Sequence, residues 1–158
     1  MSKSTKLDKL VEKAIEAKNR GDLIEMGNFL HKAFTIDETY PSVNDQFAEY
    51  FYLAGKKMEA IGMYRRLRGT PKQEGLDPGN ISPWLKEAAI LMEIGNFKLA
   101  DNLFDEMLKI FPDNPNVIKG KEQTQYELAN IKYCTRCGEP LNKYENHCLR
   151  CGKAKPIV

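Results

Sequence analysis

Residues 81–114 constrain the fold of this chain more than any other segment. They form 34 residues of amphipathic pattern, with a Gly-Asn pair in the middle. In the first half, Trp84, Ala88 and Leu91 are spaced i, i+4, i+7, which places them on one helical face. Pro112 ends the second half, because proline cannot continue an α-helix. The segment therefore predicts a helix-turn-helix pair, and such a pair needs neighbours to cover its second face.

The offsets of six residues in this segment resemble the tetratricopeptide repeat (TPR), a helix pair of about 34 residues. The matching residues are Trp84, Gly95, Phe97, Ala100, Phe104 and Pro112. Glu87 departs from the pattern, since the family usually has Leu there, and Ala88 lies where Gly is frequent. The resemblance implies a solenoid whose first helices form a concave surface that binds peptides or proteins.

Two further copies of the pattern lie upstream. One is centred on Ala60, 40 residues before Ala100, and a weaker one on Met26, 34 residues before Ala60. The longer step is explained by a Pro- and Gly-rich loop at 69–80. We expect an all-α fold, a TPR solenoid of three helix pairs plus a capping helix, followed by a small C-terminal module. The predicted boundaries are repeats at about 7–40, 41–80 and 81–114, a capping helix at 115–131, a helical domain at 1–131 and the C-terminal module at 132–158.

The capping helix is less regular than the helices before it. Its apolar residues can line one face, and the remainder is polar, as the end of a solenoid requires. These apolar residues are Val117, Ile118, Tyr126, Leu128 and Ile131. The sequence predicts that this face covers the last helix pair, including Leu103 and Met107.

All four cysteines lie near the C-terminal end of the chain. They form two Cys-x-x-Cys pairs, ten residues apart, and a glycine follows each pair: Cys134, Cys137, Gly138, Cys148, Cys151 and Gly152. Four thiolates from two such turns suit a closed tetrahedral Zn2+ site. The stretch resembles the small zinc-ribbon family, which implies one structural zinc. An iron site with the same ligands and a pair of disulfides stay open as alternatives.

Composition excludes several classes of function. The chain has no apolar run near the roughly 18 residues of a membrane helix, and its N-terminal residues lack the pattern of a signal peptide. No nucleophile–base arrangement or phosphate-binding glycine motif is present, and the cysteines are committed to metal. We expect a cytoplasmic protein that is not an enzyme, with no membrane partner and no small-molecule substrate.

The TPR resemblance implies that this chain is an adaptor with an unidentified protein partner. Carried over by register, the groove positions are Asp45, Glu49, Tyr52, Leu85, Lys86, Ala89, Met92 and Tyr126. Their mixture of apolar and acidic residues favours a basic or amphipathic segment. Some TPR proteins hold a C-terminal carboxylate with a Lys/Asn clamp. The matching positions here are Val11, Ile15, Gln46, Ser82 and Lys86, and only Lys86 fits, so we do not expect that mode.

The alternative function is binding of RNA or a ribonucleoprotein, of the ribosomal type, through the ribbon. Residues 132–158 hold 6 of the 24 Lys and Arg but only 2 of the 22 Asp and Glu. Cations neutralise phosphates, and the interleaved Tyr133 and Tyr144 are able to stack on bases. The candidate contacts are Arg136, Lys143, Arg150 and Lys153.

Overall fold

The computed structural model describes residues 1–68 and 80–156, and this part of the chain forms seven α-helices. They are α1 (Lys3–Asn19), α2 (Leu23–Ile36), α3 (Pro41–Leu53), α4 (Lys57–Arg68), α5 (Ser82–Glu93), α6 (Phe97–Ile110) and α7 (Pro115–Ala129). The described residues contain no strand, and their only β pairing is two isolated bridges near the cysteines. The all-α fold class is confirmed, whereas nearly all of the predicted 69–80 loop lies outside the described residues.

The chain divides into two compact units, Met1–Glu87 and Ala88–Val158. The division falls within α5. The predicted boundary between a helical domain and a ribbon, at 131/132, stays a prediction. None of the described helices is both long and apolar enough to cross a membrane.

The helix pairs turn at three equivalent glycines. Gly21, Gly55 and Gly95 have φ of +78°, +78° and +80°, a conformation that glycine adopts without steric penalty. In two of the turns the next residue caps the following helix. The Asp22 side chain accepts from the Glu25 N–H at 2.9 Å, and the Asn96 side chain accepts from the Leu99 N–H at 3.4 Å. The turn residues therefore set the repeat boundaries locally.

The first unit has a core built mainly from α1, α2 and α3. Met26 takes the place that is a small residue in the other repeats, and it is fully buried. Its neighbour Gly27 gives room for an aromatic ring, since a Cβ there would lie 3.0 Å from the ring of Tyr50. The weak first repeat thus keeps its packing by exchanging the positions of large and small side chains.

Glu87 is buried in the first unit, with 1% exposure, although the TPR pattern favours Leu at this position. Its carboxylate accepts from Arg65 Nε at 3.0 Å and from Arg68 Nε at 2.6 Å. The Arg68 guanidinium also lies 4.5 Å from the centroid of the Trp84 ring. A buried carboxylate is tolerated here because two cations and their hydrogen bonds compensate for its lost hydration.

In the second unit, α7 packs on α6 through a face that agrees with the predicted one at Val117 but not at Ile118 and Tyr126. Val117 and Thr124 are fully buried, and Gly120 lies between them, close to the ring of Phe104. Ile118 and Tyr126, which were expected on this face, are 41% and 64% exposed. The prediction was wrong because it counted apolar residues, whereas a glycine and a threonine allow closer helix approach.

Candidate functional site

The four cysteines converge on one point. The sulfur atoms of Cys134, Cys137, Cys148 and Cys151 all lie within 4.8 Å of one another. The Sγ atoms of Cys134 and Cys151 are 3.5 Å apart, and those of Cys137 and Cys148 are 3.6 Å apart. A tetrahedral zinc with bonds of about 2.3 Å would separate its sulfurs by about 3.8 Å. The arrangement is therefore consistent with a zinc ribbon, and the separations far exceed the roughly 2.05 Å of a disulfide.

The two cysteine turns are copies of one structure, related by 14 positions in the sequence. The N–H of Cys134 donates to the Glu139 carbonyl at 2.8 Å, and that of Cys148 donates to the Lys153 carbonyl at 2.8 Å. Each turn closes when the following glycine donates to the carbonyl of the first cysteine, at 2.9 and 2.8 Å. Both glycines, Gly138 and Gly152, have φ of +74°. Each turn is therefore held by its own backbone hydrogen bonds, and the sulfurs of the two turns face one position.

Backbone N–H groups point at the first sulfur of each turn. Those of Cys137 and Arg136 lower the pKa of Cys134 to about 6. In the second turn, the N–H groups of Cys151 and Arg150 lower the pKa of Cys148. The thiolate is the form that binds metal, so these bonds favour the binding state of Cys134 and Cys148, the first ligand of each turn. His147, beside Cys148, is exposed.

Three of the four predicted nucleic-acid contacts form ion pairs or hydrogen bonds with neighbouring residues of the chain. Lys143 pairs with the Glu127 carboxylate at 2.8 Å, which joins the ribbon to α7. Arg150 pairs with Glu139 at 3.1 Å, and Lys153 donates to the Thr135 hydroxyl at 2.5 Å. Arg136 is exposed. A role of these four residues in binding nucleic acid stays a prediction.

The first unit contains an open cavity of about 400 Å3. Its lining comes from α1, α3 and the first turns of α5, with a contribution from α4. All five residues at the clamp positions of the TPR resemblance line it, namely Val11, Ile15, Gln46, Ser82 and Lys86. The cavity therefore lies where a TPR groove is expected, with an apolar α1 wall.

Charges in this cavity are balanced. Lys86 Nζ lies 3.4 Å from Asp45 Oδ1, and nearby Lys18 Nζ lies 3.2 Å from Glu49 Oε1. Lys86 also lies 5.5 Å from the ring centroid of Tyr64. Because Asp45 and Glu49 each have a lysine partner, these two acidic residues give the groove no net negative charge.

The surroundings of Tyr64 include several of the predicted groove residues. Burial raises the pKa of Tyr64, and the charges of Asp45 and Glu49 and the nearby Tyr52 raise it further. Tyr52 is 37% exposed, and Leu85 is half-buried. Five of the predicted groove residues therefore belong to the first unit: Asp45, Glu49, Tyr52, Leu85 and Lys86.

The other three predicted groove residues belong to the second unit. Ala89 and Tyr126 are exposed, and Met92 is half-buried. Their exposure allows contact with a partner, and their role in binding stays a prediction.

Comparison with known proteins identifies the fold of the helical region. The TPR domain of P58(IPK) is 19% identical and has a TM-score of 0.65, over 78% of this chain and 33% of that one. The first TPR domain of Spaghetti (RPAP3), bound to the HSP90 peptide SRMEEVD, is 17% identical with a TM-score of 0.63. The match covers 80% of this chain and 95% of that one. An O-GlcNAc transferase mutant of Thermobaculum terrenum is 18% identical with a TM-score of 0.59. That match covers 78% of this chain and 23% of that one.

The helical part is thus a TPR fold, and a cluster of four cysteines accompanies it. The similarity lies in structure more than in sequence. No family model matches the chain, and no curated protein matches it.

Proposed function

We propose that this protein is a non-enzymatic adaptor that holds a segment of a partner protein in the groove of its first unit. The observation that carries the proposal is the cavity of about 400 Å3 formed by α1, α3 and α5. Peptide binding by a similar fold supports it, since the related Spaghetti domain was determined with an HSP90 peptide. The ribbon serves as a second contact module.

The lining favours an internal segment over a chain terminus. Val11 is buried and Ile15 half-buried, so the positions of a carboxylate clamp offer a wall for an apolar side chain. Gln46 Oε1 is buried and has no hydrogen-bond donor among the described residues. A backbone N–H group of a bound peptide would satisfy this oxygen once the Gln46 side chain turns it toward the cavity that the residue lines. The Asp45–Lys86 pair gives the segment one acceptor and one donor at the same end of the groove.

We further propose that the cysteines hold one structural Zn2+. Four sulfur ligands close the coordination sphere, so the metal would maintain the ribbon fold and would not activate water. For a module this small, binding of the metal and folding are one event. Reduced thiolates also suit the cytoplasm, which is the location that we propose.

The adaptor proposal is tested by closing the groove without disturbing the core. Ser42 lines the cavity and is exposed, so Ser42→Arg should fill it with a large charged side chain. Asn28→Arg, on the exposed side of α2, is the matched control. Each tagged chain is used to capture partners from nuclease-treated native lysate, with quantification by mass spectrometry. Partners should be lost with Ser42→Arg and retained with Asn28→Arg. Equal recovery with both variants would contradict binding in this groove.

A further inference from the structure

The second unit contains a larger cleft between the C-terminal end of α7 and the ribbon. Its volume is about 580 Å3, within the roughly 300–1,000 Å3 of sites that take small ligands or side chains. Aliphatic residues from both sides form its walls, with Ile131 after α7 and with Leu141 and Leu149 from the ribbon. Phe97, at the start of α6, contributes a buried ring.

Two large apolar side chains at this cleft are exposed. Tyr126 is 64% exposed and Leu149 is 65% exposed, and they come from α7 and from the second cysteine turn respectively. A single exposed apolar residue is ordinary on a protein surface. Two that border one apolar cleft give a continuous surface of the kind that marks an interaction site.

The charged residues of the cleft are mostly basic. Lys132, Lys143 and Lys155 line it, and Glu127 is the one acidic residue among its described lining. Lys143 neutralises Glu127 through contacts of 2.8 and 3.0 Å. Lys155 donates to the Asn142 carbonyl, which carries no formal charge. The cleft thus has an excess of two positive charges over its apolar walls.

From this combination we propose that the cleft binds an acidic segment of a partner protein that inserts a large apolar side chain. The positive rim complements Asp and Glu, and the aliphatic walls bury the anchor. Single-stranded nucleic acid fits less well. It needs a row of aromatic faces along an open basic channel, whereas this site is concave and its apolar part comes mostly from Leu, Ile and Pro.

The test uses a phage-displayed library of short random peptides, selected on the full-length, zinc-loaded protein. The selected peptides should share a large apolar residue flanked by Asp or Glu. Tyr126→Ala and Leu149→Ala should each weaken binding by about tenfold or more, and Lys132→Glu should weaken it in a salt-dependent way. Because all three residues are exposed, these variants should fold.

Matched controls outside the cleft separate this site from general surface effects. Tyr133→Ala and Lys119→Glu change exposed residues in the same unit and should bind as the unmodified chain does. Ser42→Arg, in the first groove, should also bind normally, which makes the outcome independent of the adaptor proposal. Selected peptides without acidic residues, or equal losses from the controls, would overturn the proposal. The proposal is also overturned, in favour of nucleic acid, if an oligo(dT) strand binds more tightly than the selected peptides and Tyr126→Ala weakens that binding.

Discussion

Arg68 Nε donates to Glu87 Oε2 over 2.6 Å, and this bond joins the last residue of α4 to the first half of α5. The Glu87 side chain is 1% exposed and that of Arg68 is 14% exposed, so both charges are largely removed from water. Attraction within such a pair offsets desolvation, and loss of one partner leaves the other charge uncompensated. The pair therefore ties the end of α4 to the first half of α5.

Removal of Arg68 should be more harmful than replacement of the whole pair. Arg68→Ala should lower the free energy of unfolding by about 2–4 kcal/mol, less than the full cost because Arg65 still reaches Glu87. The double variant Arg68→Met/Glu87→Leu, which restores the usual TPR residue, should be as stable as the original chain or more so. Denaturant unfolding of both variants measures the difference. The ionic account fails if Arg68→Ala unfolds at the same midpoint as the original chain.

Gly120 is required by the approach of α7 to α6. A Cβ at this position would lie 2.3 Å from two atoms of the Phe104 ring, so either the buried ring or the helices must shift if one is added. Gly120→Ala should therefore lower the free energy of unfolding by about 1–3 kcal/mol. Gly62, in α4, has no atom within 4 Å of its equivalent Cβ and is the matched control. Gly62→Ala should raise stability by about 0.5–1 kcal/mol. A stabilising Gly120→Ala would show that this packing is wrong.

The ribbon should carry one zinc per chain, released when a ligand is removed. Cys134→Ser should lose the metal but keep most of the helical circular dichroism, because α1 to α7 precede the site in the chain. His147→Ala, a change of an exposed neighbour, should keep one zinc. Native mass spectrometry gives the stoichiometry directly. A red, iron-loaded protein from cells supplied with both metals would favour the iron alternative.

Most of the fold followed from the sequence because its signals are local. Helical spacing around Trp84 and Ala100, the turn glycines and the Cys-x-x-Cys-Gly pairs each depend on residues close together in the chain. The repeat resemblance then specified how the helices are ordered, and the observed helices agree with it. Convergence of the four sulfurs was predictable for the same reason, since each turn is formed by its own backbone.

Features that depend on contacts across the chain were not predicted. Arg65 and Arg68 follow the local pattern of cations near the C-terminal end of a helix, and nothing nearby in the sequence indicates that the Glu87 carboxylate accepts from both. The predicted inner face of α7 includes Ile118 and Tyr126 beside the buried Val117, because an apolar count does not detect that Gly120 fits a ring of α6. The cleft beside the ribbon likewise combines residues distant in sequence.

The central claim, that the groove of the first unit binds a protein partner, is tested most directly by calorimetry with a partner captured from lysate. Binding by Tyr52→Ala is compared with binding by Arg136→Ala/Arg150→Ala at two salt concentrations. We predict that Tyr52→Ala weakens binding by about 1–2 kcal/mol at both concentrations, whereas the arginine variant binds as the original chain does. The opposite result is unchanged binding by Tyr52→Ala together with a strongly salt-dependent loss of binding in the arginine variant. That result would contradict the adaptor function and favour nucleic-acid binding by the ribbon.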